Sequence, residues 1–207
     1  MNLQSTTNNL QPNRGFSLIE MLVVMGIFAL LSTTVFINYS DFSVKASLDN
    51  LTHQVALIIR QAQVYGISVS QGNQFRGYGV HFSVENPASQ SMFTLFNDRN
   101  PSDKKYSPGA NPCNGDINDE CLEKISIRSG DTISLITAKA KTDPQNAINL
   151  KEVHIVFTRP NPDANILGID FGNNQYDKLA DVQITLKSLR LSTKKVIVWS
   201  TGQIAVE

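Results

Sequence analysis

The chain has 207 residues, with 18 Lys+Arg against 18 Asp+Glu and a formal charge of zero. Balanced charge argues against the electrostatic footprint that nucleic acid or an acidic membrane surface would demand. The length allows one domain or at most two.

A polar leader comes first, Met1–Gly15, with Arg14 as its single charge. An apolar run follows, and from Met21 to Ser40 no residue is charged. About 20 such residues suffice to cross a bilayer as a helix. Glu20 lies inside the apolar block. A carboxylate costs about 2.5–3.5 kcal/mol at the centre of a spanning helix and less near an end. An acid kept at that cost is a functional-site hypothesis and needs a partner. A secretory signal peptide would have a basic start, a shorter apolar core and a small-x-small cut. This run is too long and its leader too weakly charged, while a plain anchor leaves Glu20 unexplained. Arg14, with no basic cluster after the span, places the leader in the cytoplasm and the remainder outside.

The segment Arg14-Gly15-Phe16-Ser17-Leu18-Ile19-Glu20-Met21-Leu22-Val23-Val24 resembles the class III signal of type IV pilins and type II secretion pseudopilins. The resemblance implies a membrane-embedded prepilin peptidase that cuts after Gly15 and methylates the new N-terminus at Phe16. It implies that Glu20 pairs with the N-terminus of a neighbouring subunit during assembly. It further implies other pilin or pseudopilin subunits, an inner-membrane assembly platform and inner-membrane lipid as partners. The location so implied is the bacterial inner membrane, crossed once, with the C-terminal domain periplasmic or extracellular.

Helical periodicity continues beyond the span. Val44, Leu48, Leu51, Val55, Ile58, Ala62, Tyr65 and Val69 recur at steps of three and four, one apolar stripe. No proline interrupts the chain between Pro12 and Pro87, so one helix is expected to about Val69. Two helices hinged near Asn38–Asp41 are the alternative. From Gly77 the period becomes two. Tyr78–Val84 and Met92–Phe96 are expected to form a hairpin across Glu85–Gln90, followed by a polar loop from Asn97 to Glu120. Further strands are expected at Leu122–Arg128, Thr132–Thr137, Glu152–Thr158, Val182–Lys187, Lys195–Ser200 and Gln203–Val206, with tight turns at Gly130-Asp131 and Thr201-Gly202.

The expected fold class is α+β: a long N-terminal helix, transmembrane then amphipathic, packed on an antiparallel β-sheet domain, as the pilin resemblance implies. The divisions are a leader (1–15), a membrane or filament-core helix (16–40), a distal amphipathic helix (41–70) and a periplasmic β domain (71–207). Val156–Pro162 and Val196–Ile204 also resemble the final strands of the GspH/FimT group of minor pilins and pseudopilins. Some members of that group bind DNA through basic residues near the C-terminus; the candidates here are Lys187, Arg190, Lys194 and Lys195. A solvated loop or protected edge is the default reading of such a charge run.

Cys113 and Cys121 close a short loop. Outside the cytoplasm such a pair is most simply a disulfide, worth about 2.5 kcal/mol by chain entropy. Free thiols are the alternative, and zinc would need two further ligands. Asp116-Ile-Asn118-Asp119-Glu120 imitates the start of a calcium loop, with Asp98, Asn100 and Asp103 able to converge on it. It lacks the glycine and terminal glutamate of an EF-hand, so a solvated polar loop is expected, with no metal and no cofactor. No Gly-x-Ser-x-Gly elbow, His-Glu-x-x-His or phosphate-binding loop occurs. His53, His81 and His154 are scattered and read as surface or internally satisfied histidines. The function expected is that of a non-enzymatic subunit, a minor pseudopilin or minor pilin of a type II secretion or type IV pilus filament. The alternatives are a DNA-binding minor pilin of an uptake pilus and a membrane-anchored binding domain that never polymerises.

Overall fold

The computed structural model describes residues 15–68, 75–99, 103–109, 113–114 and 119–207. Residues 1–14 of the leader, Arg14 among them, and Val69, Asn100, Asp116 and Asn118 lie outside the described residues. The chain divides into two compact units, Met1–Phe42 and Ser43–Glu207.

One helix, α1, spans Leu18–Ser68, in place of the two hinged helices of the alternative reading. Ser17 starts it: its carbonyl accepts the Met21 N–H and its hydroxyl accepts the Glu20 N–H, each at 3.2 Å. A serine at this position satisfies a backbone donor that the first turn would leave unpaired. In the first unit the helix is apolar nearly all round and exposed, with Ile19 65%, Met25 62% and Phe36 78% accessible. This helix is long and apolar enough to cross a membrane.

In the second unit α1 buries Leu48, Leu51, Thr52, Val55, Ala56, Ile59 and Ala62. The stripe is rotated slightly from the expected one. Ile59, not Ile58, sits at its centre, and Tyr65 lies exposed at its margin. In the last turns Tyr65 packs edge-on against Tyr78, centroids 5.6 Å apart, and Gly66 makes the close contact with the strand that ends at Phe157. A Cβ there would stand 2.5 Å from the Phe157 carbonyl oxygen, so only glycine lets the helix approach this strand.

Ten strands follow: β1 (Phe75–Ser83), β2 (Met92–Arg99), β3 (Cys121–Ser126), β4 (Thr132–Ala140), β5 (Asp143–Phe157), β6 (Ala164–Asp170), β7 (Gln175–Tyr176), β8 (Leu179–Lys187), β9 (Thr193–Trp199) and β10 (Ile204–Val206). They form one curled antiparallel sheet in the order β10-β9-β8-β4-β5-β1-β2-β3, with β6 and β7 branching from β5. The first half of β5 pairs with β4 and its second half with β1 and β6. The architecture is a long helix on an antiparallel sheet, α+β as in pilin-like folds.

Alternation along β1 sorts the two faces. Val80 and Phe82 join the core beneath α1, with Phe93, Leu95, Val153, Ile155 and Phe157. His81 stands on the opposite face and is registered directly across from His154. The sequence reading missed β6, β7 and the first half of β5. Asp143–Asn146 is polar and exposed, so it shows no alternation; the strand form of this half comes from pairing with β4. In β6, Gly168 breaks the apolar run, yet a Cβ there would stand 2.5 Å from Leu150 Cδ1. The glycine that weakens the strand signal is what the packing requires.

Candidate functional site

The N-terminal site consists of three non-helical residues and one turn of helix. Gly15 has no other atom within 4 Å of where a Cβ would stand, and Phe16 is 80% exposed. The Gly15-Phe16 bond therefore precedes the helix and is open to a second protein. Glu20 is exposed, and its carboxylate makes no hydrogen bond or ion pair among the described residues. Ser17-Leu-Ile-Glu20 has the spacing of a capping box, and the macrodipole favours an acid in this first turn. Sequence reading singled out Gly15, Phe16 and Glu20 but passed over Ser17, although the Ser-x-x-Glu spacing was there to be read.

The second site is the outer face of the sheet around His81 and His154, where Tyr106 of the 103–109 segment packs. Cys113 and Cys121 are joined as a disulfide, with Cα atoms 4.8 Å apart. Asp119 and Glu120 hold this loop through its backbone. Asp119 accepts N–H groups from Cys121 at 3.0 Å, Gly109 at 3.4 Å and Cys113. Glu120 accepts from Ser107 at 2.7 Å and Arg99 at 3.1 Å. Burial pushes the Asp119 carboxyl up, but the N–H groups of Cys121, Cys113, Gly109 and Asn114 outweigh it and hold the pKa below the usual value. For Glu120 burial dominates the same opposition, and its pKa is raised. Two acids singled out as cation ligands are thus spent on organising the loop.

His81 and His154 are brought together on this face, which sequence separation concealed. Their rings stack with centroids 4.6 Å apart, and Tyr106 packs on His81 at 5.3 Å. Burial, with Lys105 nearby, lowers His81 to about 4. Burial, then His81 and Lys105, lowers His154 well below its ordinary value. Tyr106 is pushed up to about 12 by burial and by Asp119 and Glu120. Glu152 completes a trio whose ligand atoms lie within 4.8 Å of one another. The Nδ1 of His154, however, already accepts the Tyr106 N–H at 3.1 Å. Hydrogen bonding rather than coordination organises these residues. His53 stays on the exposed side of α1.

The basic candidates fall on β8, β9 and the turn between them. Lys194 is committed to Asp49 of α1 at 2.8 Å.

A family model described as the prokaryotic N-terminal methylation motif matches residues 10–36. The match supports a type IV prepilin-like protein. It stops at residue 36 and bears on the N-terminal segment alone. The prepilin-like motif implies processing by prepilin peptidase and assembly with other pilin subunits, a structural rather than enzymatic role. Together with the apolar N-terminal helix it fits a membrane-anchored protein carrying a C-terminal domain. Nothing among the curated proteins or the solved structures matches the chain.

Proposed function

We propose that this protein is a minor pseudopilin or minor pilin, cut between Gly15 and Phe16, methylated at Phe16 and incorporated into a type II secretion or type IV pilus filament. The observation that carries the reading is the boundary at Ser17. The motif's scissile bond falls just outside the helix that Ser17 caps, where a protease meets non-helical backbone instead of a closed helical turn. The apolar half of α1, exposed within a single chain, is the surface that a bilayer covers before assembly and neighbouring subunits cover afterwards. The β9–β10 hairpin at Thr201-Gly202 supports the GspH/FimT-type version, and Gly202 holds φ +81° in its turn. The inner-membrane location and the assembly platform as a partner follow from the same reading.

Intact-mass measurement on protein from cells with and without prepilin peptidase tests it. The expected product begins at N-methyl-Phe16 only in cells containing the enzyme, and Gly15→Leu abolishes it. A protein that keeps residues 1–15 in those cells, or is cut beyond Ser32, overturns the reading.

A further inference from the structure

The turn between β8 and β9 carries two leucines that the fold leaves in water: Leu189 is 72% and Leu191 70% exposed. Leu191 holds φ +65°, a left-handed conformation that glycine or asparagine adopts far more readily. The turn is nevertheless closed, because Ser188 donates its N–H to Ser192 at 2.9 Å and Leu191 donates to Ser188 at 3.0 Å. A leucine in disfavoured backbone, pointing away from the core, is not explained by packing.

Its surroundings place this turn within the second unit. A Cβ on Gly130 would stand 3.0 Å from Leu189 Cδ1, so the β3–β4 turn lies against it. The next residue, Asp131, accepts the Ser47 hydroxyl at 2.8 Å, and Lys194 pairs with Asp49 at 2.8 Å. The leucines therefore sit at the end of the unit where α1 enters. Lys45 and Arg128 are exposed at that end. Of the acids there, Asp131 is buried and hydrogen-bonded by Ser47 and Ser129, Asp49 is paired, and Glu207 is exposed beside Lys195.

We propose that this turn rests on an anionic bilayer, with Leu189 and Leu191 in the headgroup–acyl boundary and the exposed cations against lipid phosphates. The inference rests on the reading of Met21–Ser40 as the membrane span. Six residues lie between Ser40 and Ser47, so whatever the orientation of the two units the chain lets these two residues part by at most ~25 Å. Apolar side chains ringed by Lys and Arg are the pattern of interfacial attachment. A nucleic-acid surface would use the cations and leave the leucines wet.

Leu189→Trp in the full chain tests this, reconstituted into bilayers of phosphatidylglycerol with brominated acyl chains. Trp199, the chain's one tryptophan, is the internal control, because it lies at the opposite end of the β8–β9 ladder from Lys187 and Thr193. The added fluorescence is expected to be blue-shifted and quenched by bromolipid while that of Trp199 is not. The quenching should weaken in phosphatidylcholine and disappear with Leu191→Asp. Unquenched, red-shifted emission from the new indole in phosphatidylglycerol overturns the proposal, and equal quenching in both lipids overturns the role of the cations. Carbonate extraction separates the two readings: a chain released from the bilayer sinks the membrane span itself, whereas a retained chain with an unquenched turn sinks the docking proposal alone.

Discussion

Nδ1 of His81 lies 3.2 Å from Nδ1 of His154, and the Tyr106 amide approaches the same His154 nitrogen at 3.1 Å. A backbone N–H can only donate, so His154 Nδ1 must carry a lone pair and its proton must sit on Nε2. His81 then donates from Nδ1 toward the same acceptor. His154 Nε2 finds no hydrogen-bond partner among the described residues. One nitrogen thus ties β1, β5 and the 103–109 segment together, provided His154 stays neutral.

That condition fixes the pH dependence. The folded pKa of His81, about 4, and that of His154, well below its ordinary value, both lie under the unfolded value of 6.5. The unfolded chain therefore binds more protons as pH falls from 6.5 toward 4, and stability is lost across that window. Each histidine contributes up to about 1.4 kcal/mol per pH unit. Asp119, with its lowered pKa, loses its own stabilising contribution as pH falls through its folded value. Glu120, with a raised pKa, acts in the opposite sense, but two histidines against one glutamate leave a net loss. Denaturant midpoints for the detergent-solubilised chain should drop between pH 7 and pH 5, and His81→Gln should flatten that drop. An unchanged slope in His81→Gln would show that the ring pair does not titrate in this window.

Gly66 gives a prediction whose sign is opposite to helix propensity. In an exposed helix Gly→Ala stabilises by roughly 1 kcal/mol. At Gly66 a Cβ would stand 2.5 Å from the Phe157 oxygen and 2.8 Å from its Cβ, and neither atom can rotate away. Gly66→Ala should destabilise the second unit by roughly 1–3 kcal/mol, the range for overpacking. A thermal midpoint equal to or above wild type would show that α1 does not press on β5 as described.

The Cys113–Cys121 link should stabilise the loop over the outer face. Closing a short loop contributes about 2.5 kcal/mol by chain entropy, and Asp119 accepts both cysteine N–H groups. Reduction should therefore lower the unfolding midpoint and open residues 103–121 to protease before the strands beneath. Non-reducing peptide maps should show the two cysteines joined. Two alkylatable thiols in material from outside the cytoplasm would remove both the link and that compartment.

Much of the fold was legible because its periods are local. The stripe on α1 and the alternation of β1 are each written in a few consecutive residues, and β2 follows across a short turn. Gly130 and Gly202, both at positive φ, marked their turns correctly. What escaped was decided at a distance. β6 takes its form from pairing with β5, and β2 runs on to Arg99 because Asn97 accepts its place opposite Tyr78. The N-terminal site was readable because its residues are adjacent in the chain. The histidine pair was not, since 73 residues separate its members and only the β1–β5 register sets them side by side. For the same reason Asp119 and Glu120 looked like cation ligands. The backbone donors that occupy them come from residues 99, 107, 109, 113 and 121.

Glu20 separates anchoring from assembly. Its N–H is capped by Ser17 at 3.2 Å, while its carboxylate faces outward from the first turn without a partner among the described residues. The macrodipole favours an acid there by about 0.3–1 kcal/mol, less than the 2.5–3.5 kcal/mol or so that a carboxylate costs deep in a bilayer. In the proposed filament a neighbour's Phe16 amine would make up the difference by neutralising two buried charges at once, available only after cleavage and only when subunits meet. Glu20→Val should leave insertion equal or improved, since it removes the charge without touching the Ser17 cap. Cleavage after Gly15 should also persist, because that bond lies outside the helix. Filament incorporation, scored by crosslinking to neighbouring subunits in the native host, should fall several-fold. A Glu20→Val protein that is cut normally and incorporated as well as wild type would show that the acid is merely tolerated, leaving the filament reading to rest on the cleavage motif alone.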